Sequence, residues 1–208
     1  MPSKFKYVYQ FKIVIEGIYP EIWRVIQVPE NYSFWDLHVA IQNVFGWKDI
    51  HLHSFETDNP KTGKREFLGI PEEMYDGICD DFSTLPGWDL QISDYFSEKR
   101  RSMLYIYDYG DSWRHQIQYE KILFASPKQK YPICLEGRYQ GPPEDCGGAF
   151  GYPDFVKMIT DPLHPYHYSM KRWAGKKKCD IEAFDPKEVR FANPQKQKDA
   201  TFRKYQMS

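Results

Sequence analysis

No stretch of the 208-residue chain approaches the ~18 consecutive apolar residues that a membrane-spanning helix needs. The amino terminus, Met1-Pro-Ser-Lys-Phe-Lys6, lacks the apolar core of a secretory leader. A soluble, cytoplasmic protein with no membrane partner is therefore expected. The four cysteines, Cys79, Cys134, Cys146 and Cys179, make no Cys-x-x-Cys pair, which argues against a zinc ribbon or a thioredoxin-like motif and leaves free thiols. Net charge is almost absent as well: 28 Lys and Arg stand against 29 Asp and Glu, so no global field draws the chain to nucleic acid or lipid. Two catalytic signatures also fail. Gly147-Gly-Ala-Phe-Gly151 has no Gly-Lys-Ser/Thr, and Glu144-Asp145 before it would repel a phosphate. Gly110-Asp-Ser-Trp-Arg114 is a near miss to a nucleophile elbow, but its last position is arginine, and a strand pattern rather than a helix follows it. No internal repeat or linker divides the chain.

Aromatic residues, by contrast, make up 17% of the chain and serve first as filling for a core and an interface. Charge, though balanced, is segregated. From Phe55 to Glu98 eleven acids face three bases, whereas from Lys171 to Ser208 eleven bases face five acids. That basic carboxy-terminal region is where DNA would be touched if DNA is a partner. Asp80-Asp81, within the acidic segment Pro71 to Asp94, lacks the spacing of a calcium loop and reads as part of a surface excursion.

Tyr7 to Glu16 alternates, placing Tyr7, Tyr9, Phe11, Ile13 and Ile15 on one face of a half-buried antiparallel strand. Ile22 to Val28 returns beside it until Pro29 stops the ladder. Ser33 with Asp36 resembles a capping box opening a helix that carries Leu37, Ala40, Ile41 and Val44 and closes at Gly46. His38 falls on its flank, partly buried and hydrogen-bonded. His51-Leu-His-Ser-Phe55 reads as a strand, Asn59 to Gly63 as a hairpin turn and Glu66-Phe-Leu68 as the return.

The strongest hairpin signal runs from Tyr105 to Glu120, hinged on Gly110-Asp111. An even-length loop there pairs Asp108 with Trp113 and Ile106 with His115. Leu104, Ile106, Asp108, Trp113, His115, Ile117 and Tyr119 then face the core, while Tyr105, Tyr107 and Tyr109 face away. After a Pro- and Gly-rich crossing loop from Pro127 to Gly151, Pro153 opens a short helix to about Thr160, and a second runs from Pro165 to Trp173. The expected fold is α+β. Residues 1–194 form a single domain, a mainly antiparallel β-sheet of hairpins packed by one N-terminal helix and two short C-terminal helices, and residues 195–208 form a polar, frayed tail.

Four spaced motifs carry a family likeness: Ile18-Tyr-Pro-Glu-Ile-Trp-Arg24 with Val28-Pro29; Phe45-Gly-Trp47 with His51 to Phe55; Tyr107-Asp-Tyr-Gly-Asp-Ser-Trp-Arg-His115; and Pro142-Pro-Glu-Asp-Cys-Gly-Gly148 with Phe184-Asp185. In this order they resemble the plasmid pRiA4b ORF-3-like family, whose members are also called resolvase-like passenger proteins of insertion elements. Asp108-Tyr-Gly-Asp111 stands where the family pattern reads Asp-Phe-Gly-Asp, and the acidic insertion around Met74 to Leu85 is less typical. The resemblance implies a compact α+β fold on an antiparallel sheet and an association, by name, with plasmids and mobile elements. It implies no activity, and no serine-recombinase nucleophile site stands out.

These motifs and the strand assignments converge on one polar set. His51, His53, Asp108 and His115 are the candidate ligands of a divalent metal, with Glu144 or Asp145 as general base and Asp111 beside them. Imidazoles two residues apart on a strand point the same way and suit chelation, and a metal-bound water would support hydrolysis, for instance of a phosphodiester. The plainer alternative has Asp108 bonding His115 or the turn backbone, and Glu144-Asp145 capping the glycine-rich loop. With no specific catalytic signature, the first reading is a non-enzymatic binding or accessory module associated with plasmids or mobile elements. The alternative is a metal-dependent hydrolase.

Overall fold

The computed structural model describes residues 5–71 and 84–206. Eight strands follow in chain order: β1 (Tyr7–Ile15), β2 (Trp23–Pro29), β3 (His53–Asp58), β4 (Arg65–Gly69), β5 (Thr84–Pro86), β6 (Ser102–Tyr107), β7 (Trp113–Phe124) and β8 (Ile133–Arg138). They form one sheet ordered β5-β4-β3-β6-β7-β1-β2-β8. Every junction is antiparallel except the parallel pair β4 and β5. The helices are α1 (Phe34–Phe45), α2 (Ile92–Tyr95), α3 (Gly148–Thr160), α4 (His167–Ala174) and α5 (Pro194–Gln206). This is the α+β architecture that the alternating patterns predict. Among the described residues, no helix is long and apolar enough to cross a membrane. Cys79, Asp80-Asp81 and most of the acidic insertion lie outside the described residues.

The expected capping box starts α1: Ser33 Oγ accepts from Asp36 N at 3.2 Å, and Asp36 Oδ2 accepts from Ser33 N at 2.9 Å. Gly46, at φ 70°, ends the helix in a left-handed turn that a side chain would strain. Phe34, Leu37, Ala40, Ile41, Val44 and Phe45 join the main core with the inward residues of the sheet. At the carboxy-terminal end of α1 two cations take the free carbonyls. Arg24, fully buried, donates to Val44 O, Trp23 O, Arg138 O and Tyr139 O at 2.7 to 2.9 Å. Its guanidinium lies 3.6 Å from the Phe184 ring centroid. Lys178 Nζ donates to Phe45 O, Gly141 O and Pro142 O. Backbone carbonyls, Val44 O and Phe45 O at the helix end among them, thus do the work of the carboxylate that a buried cation usually needs. Burial lowers the Arg24 pKa to about 9. Together these bonds tie α1 to residues 138–142, which lead into the loop-bearing end of the sheet.

The central hairpin corrects the expected register. Its loop spans five residues, Asp108 to Ser112, so Tyr107 pairs with Trp113 and Tyr105 with His115. An odd-length loop inverts the face of the first strand. Met103, Tyr105 and Tyr107 are buried in the core alongside Trp113, His115, Ile117 and Tyr119, while Leu104 and Ile106 take the opposite face. The left-handed positions are Asp108 (φ 59°) and Ser112 (φ 50°) rather than Gly110. Asp108 tolerates this because its Oδ1 accepts from Gly110 N and Asp111 N at 3.0 and 3.3 Å, an Asx turn.

Two further boundaries differ from expectation. α3 begins at Gly148, with Pro153 inside it rather than at its start. The expected frayed tail is the helix α5, held by Trp35 Nε1 donating to Pro194 O at 3.0 Å and by Phe202 against the rings of Trp35 and Trp88. Trp35, Val39 and Ile70 form a small second core, with Leu52 and Trp88 packed against it. Gln197 Nε2 also donates to Asp49 Oδ2 at 3.0 Å, so polar bonds and one aromatic anchor together dock this otherwise polar helix.

Candidate functional site

Strand register brings several loops to one end of the sheet. Ile15 lies opposite His115, Tyr107 opposite Trp113, and His53 opposite Tyr107. The β1–β2 turn, the segment after α1, the β6–β7 loop and the loop from β8 into α3 therefore meet. A Cβ on Gly17 would lie 3.2 Å from Ala149 Cβ, and one on Gly148 would collide with Asp111 O.

At this end His51 Nε2 lies 2.8 Å from Asp145 Oδ1 and 3.4 Å from Asp108 Oδ2. The three ligand atoms all fall within 4.8 Å of one another. His51 and Asp145 reach solvent, with side chains 29% and 56% exposed, whereas that of Asp108 is only 11% exposed. Glu144 stands beside them in a different role: its Oε1 accepts from the Tyr107 hydroxyl at 2.6 Å and from Lys48 N at 3.0 Å. Burial, reinforced by Glu144, pushes the Tyr107 pKa up, so the hydroxyl stays a donor. Asp111 Oδ2 accepts from Gly147 N at 3.1 Å, fastening the hairpin loop to the start of α3. Three exposed rings stand on loops of the same end, Tyr19 (95%), Tyr109 (51%) and Phe150 (98%).

Of the four expected metal ligands, the structure brings His51 and Asp108 together, adds Asp145, and sets His53 and His115 apart. β3 begins only at His53, so His51 lies outside the strand and the two histidines do not share a face. His53 stacks on His38, with centroids 3.5 Å apart and planes 6° from parallel. His38, Asp49 and His53 also place ligand atoms within 4.8 Å. Imidazole lone pairs lie in the ring planes, however, so two rings stacked face to face do not both aim at one ion. His38 is moreover committed to a closed circuit. Its Nε2 meets Asp49 Oδ1 and its Nδ1 meets Tyr105 Oη, both at 2.8 Å. Gln42 Nε2 donates to Tyr105 Oη, and Asp49 N donates to Gln42 Oε1. Burial, with His38 beside it, holds the His53 pKa well below its ordinary value.

His115 is a core residue, not a diagonal partner of Asp108. It packs against Phe45, Trp47 and Tyr105 at 5.1 to 5.2 Å, and its Nδ1 bonds Trp113 O at 3.0 Å. Burial lowers its pKa to about 3, so the ring is neutral.

The fold and site define a mainly antiparallel sheet backed by α1, with polar groups and exposed aromatic rings on the loops at one end. More particularly, the chain belongs to the family described as Plasmid pRiA4b ORF-3-like protein, whose family model matches residues 7–190. It is similar to the uncharacterized protein y4hQ of Sinorhizobium fredii (strain NBRC 101917 / NGR234), 29% identical over 177 residues that cover 85% of each chain. It also resembles the solved structure of a protein of unknown function, MM3350, from Methanosarcina mazei Go1. That match has a TM-score of 0.80 and 42% identity, covering 90% of this chain and 100% of the other.

Proposed function

We propose that the protein is a non-enzymatic binding module whose loop-bearing sheet end takes a cationic, peptide-like segment of a partner. The observation that carries this reading is the gathering of Asp108, Asp111, Glu144 and Asp145 at one end of the fold with the exposed rings of Tyr19, Tyr109 and Phe150. Carboxylates select positive charge, and exposed aromatic faces add cation–π and apolar contact to arginine and lysine side chains. The same acids disfavour phosphate. An accessory role with plasmids is supported by the family's description alone.

The hydrolase alternative needs an acid free to take a proton from water. Glu144 already accepts two hydrogen bonds, and Asp145 is paired with His51. Thiol chemistry at Cys134 and Cys146 is equally disfavoured, because burial pushes Cys146 up to about 12 and Cys134 up to about 11. DNA is favoured as a second partner by Tyr168, Lys171 and Arg172, exposed at helical spacing on α4. Duplex binding that weakens as salt rises would support that contact, and no binding at low salt would remove it.

Fluorescence anisotropy with a labelled arginine- and lysine-rich peptide tests the main reading. Saturable binding that weakens about tenfold or more in Tyr19→Ala with Phe150→Ala is expected. No saturable binding, or turnover of a phosphodiester by metal-supplemented protein, would overturn it.

A further inference from the structure

We infer that His51, Asp108 and Asp145 form a site for one divalent transition-metal ion, an inference that rests on reading this sheet end as a binding surface and names a ligand for it. One ligand atom from each of His51, Asp108 and Asp145 meets at this point, all within 4.8 Å of one another. Two carboxylates from separate loops converge on a single ring nitrogen. Asp145 holds the short contact, 2.8 Å, while Oδ2 of the buried Asp108 has the longer one, 3.4 Å. A divalent ion would satisfy all three groups together and balance both negative charges.

The spacing already suits this. Ligands ~2.1 Å from a tetrahedral ion lie ~3.4 Å apart. The His51–Asp108 distance matches that value, and the His51–Asp145 contact has only to open slightly. The other oxygen of Asp108 is fixed by Gly110 N and Asp111 N, which orients the carboxylate before any ion arrives. Exposure of His51 and Asp145 supplies the entry path. One nitrogen and two oxygens favour zinc or manganese over calcium or magnesium, which prefer all-oxygen cages. The ion would take up the charge of Asp108 and Asp145, so it competes with a cationic partner for the same end of the fold.

Isothermal titration of the chelator-stripped full chain tests the site. One zinc or manganese ion per chain is expected, with binding weakened about tenfold or more in His51→Ala and in Asp145→Asn. Asp108→Asn should act likewise. Should its turn fail to fold, the exposed Asp145 is the decisive position. Glu21→Gln, an exposed acid on the β1–β2 turn, should bind as the wild type does. No stoichiometric uptake, uptake indifferent to His51→Ala and Asp145→Asn, or a preference for calcium would overturn the inference. The peptide titration on the same stripped protein separates the two claims. Peptide binding without metal uptake removes the ion and leaves the module, whereas metal uptake without peptide binding keeps the ion site and removes the cationic partner.

Discussion

Mild acid should destabilise this protein through its buried histidines. His115 has no exposed surface, and burial among Phe45, Trp47 and Tyr105 holds its pKa at about 3, against about 6.5 for the unfolded chain. Between these values the unfolded chain binds a proton that the folded ring excludes. The stability is therefore fully present above the unfolded value and is lost as pH falls toward the folded one. One such imidazole gives a slope of ~1.4 kcal/mol per pH unit. His53 is depressed by burial and by its stacked neighbour His38, and adds a second contribution of the same sign. His115 alone gives roughly 1.7 kcal/mol between pH 6.5 and 5, a sizeable part of a total stability of about 5–15 kcal/mol. Urea unfolding followed by tryptophan fluorescence across this range measures it. His115→Phe, or His115→Gln if the larger ring does not fit, should lower the slope by about 1.4 kcal/mol per pH unit. A wild-type stability indifferent to pH, or a slope unchanged in the variant, would refute the reasoning.

Other substitutions probe the frame that holds the site. Arg24→Met strips four carbonyls, one buried and three part-buried, of the Arg24 donor and should cost about 3–5 kcal/mol in urea unfolding, with Arg24→Lys recovering part of the loss. Phe202→Ala should cost about 2 kcal/mol and shift tryptophan emission to the red as Trp35 and Trp88 lose cover, while Lys196→Ala should change stability by less than about 0.5 kcal/mol. Gly148→Ala meets both a left-handed backbone, φ 66°, and the Asp111 carbonyl. It should cost about 1–2 kcal/mol or more and loosen the joint between the hairpin loop and α3.

Much of the frame was legible in the chain because local signals agreed with one another. The alternation from Tyr7 to Ile15, the Ser33–Asp36 cap and the glycine stop at Gly46 each specify local structure without outside help. The hairpin face was not legible. Gly110 drew attention as the turn residue, whereas the left-handed positions are Asp108 and Ser112, and one extra loop residue moves Tyr105 and Tyr107 from solvent to core. An odd loop puts Tyr105 and Tyr107 inside and leaves Leu104 and Ile106 on the other face. α5 was hidden by its polar composition, because its docking depends on Trp35 and Trp88, far away in sequence. Within the site, His51, Asp108 and Asp145 were recognisable as chemistry, but their meeting depends on three loops whose relative placement no local pattern encodes. His53 and His115 looked equivalent to His51 in sequence, and only packing separates them.

The most direct measurement of the site is anomalous diffraction from crystals soaked with zinc or manganese. The account predicts a single strong peak about 2.1 Å from His51 Nε2 and from carboxylate oxygens of Asp108 and Asp145. A peak between the stacked rings of His38 and His53, or no peak at the loop-bearing end of the sheet, would contradict it.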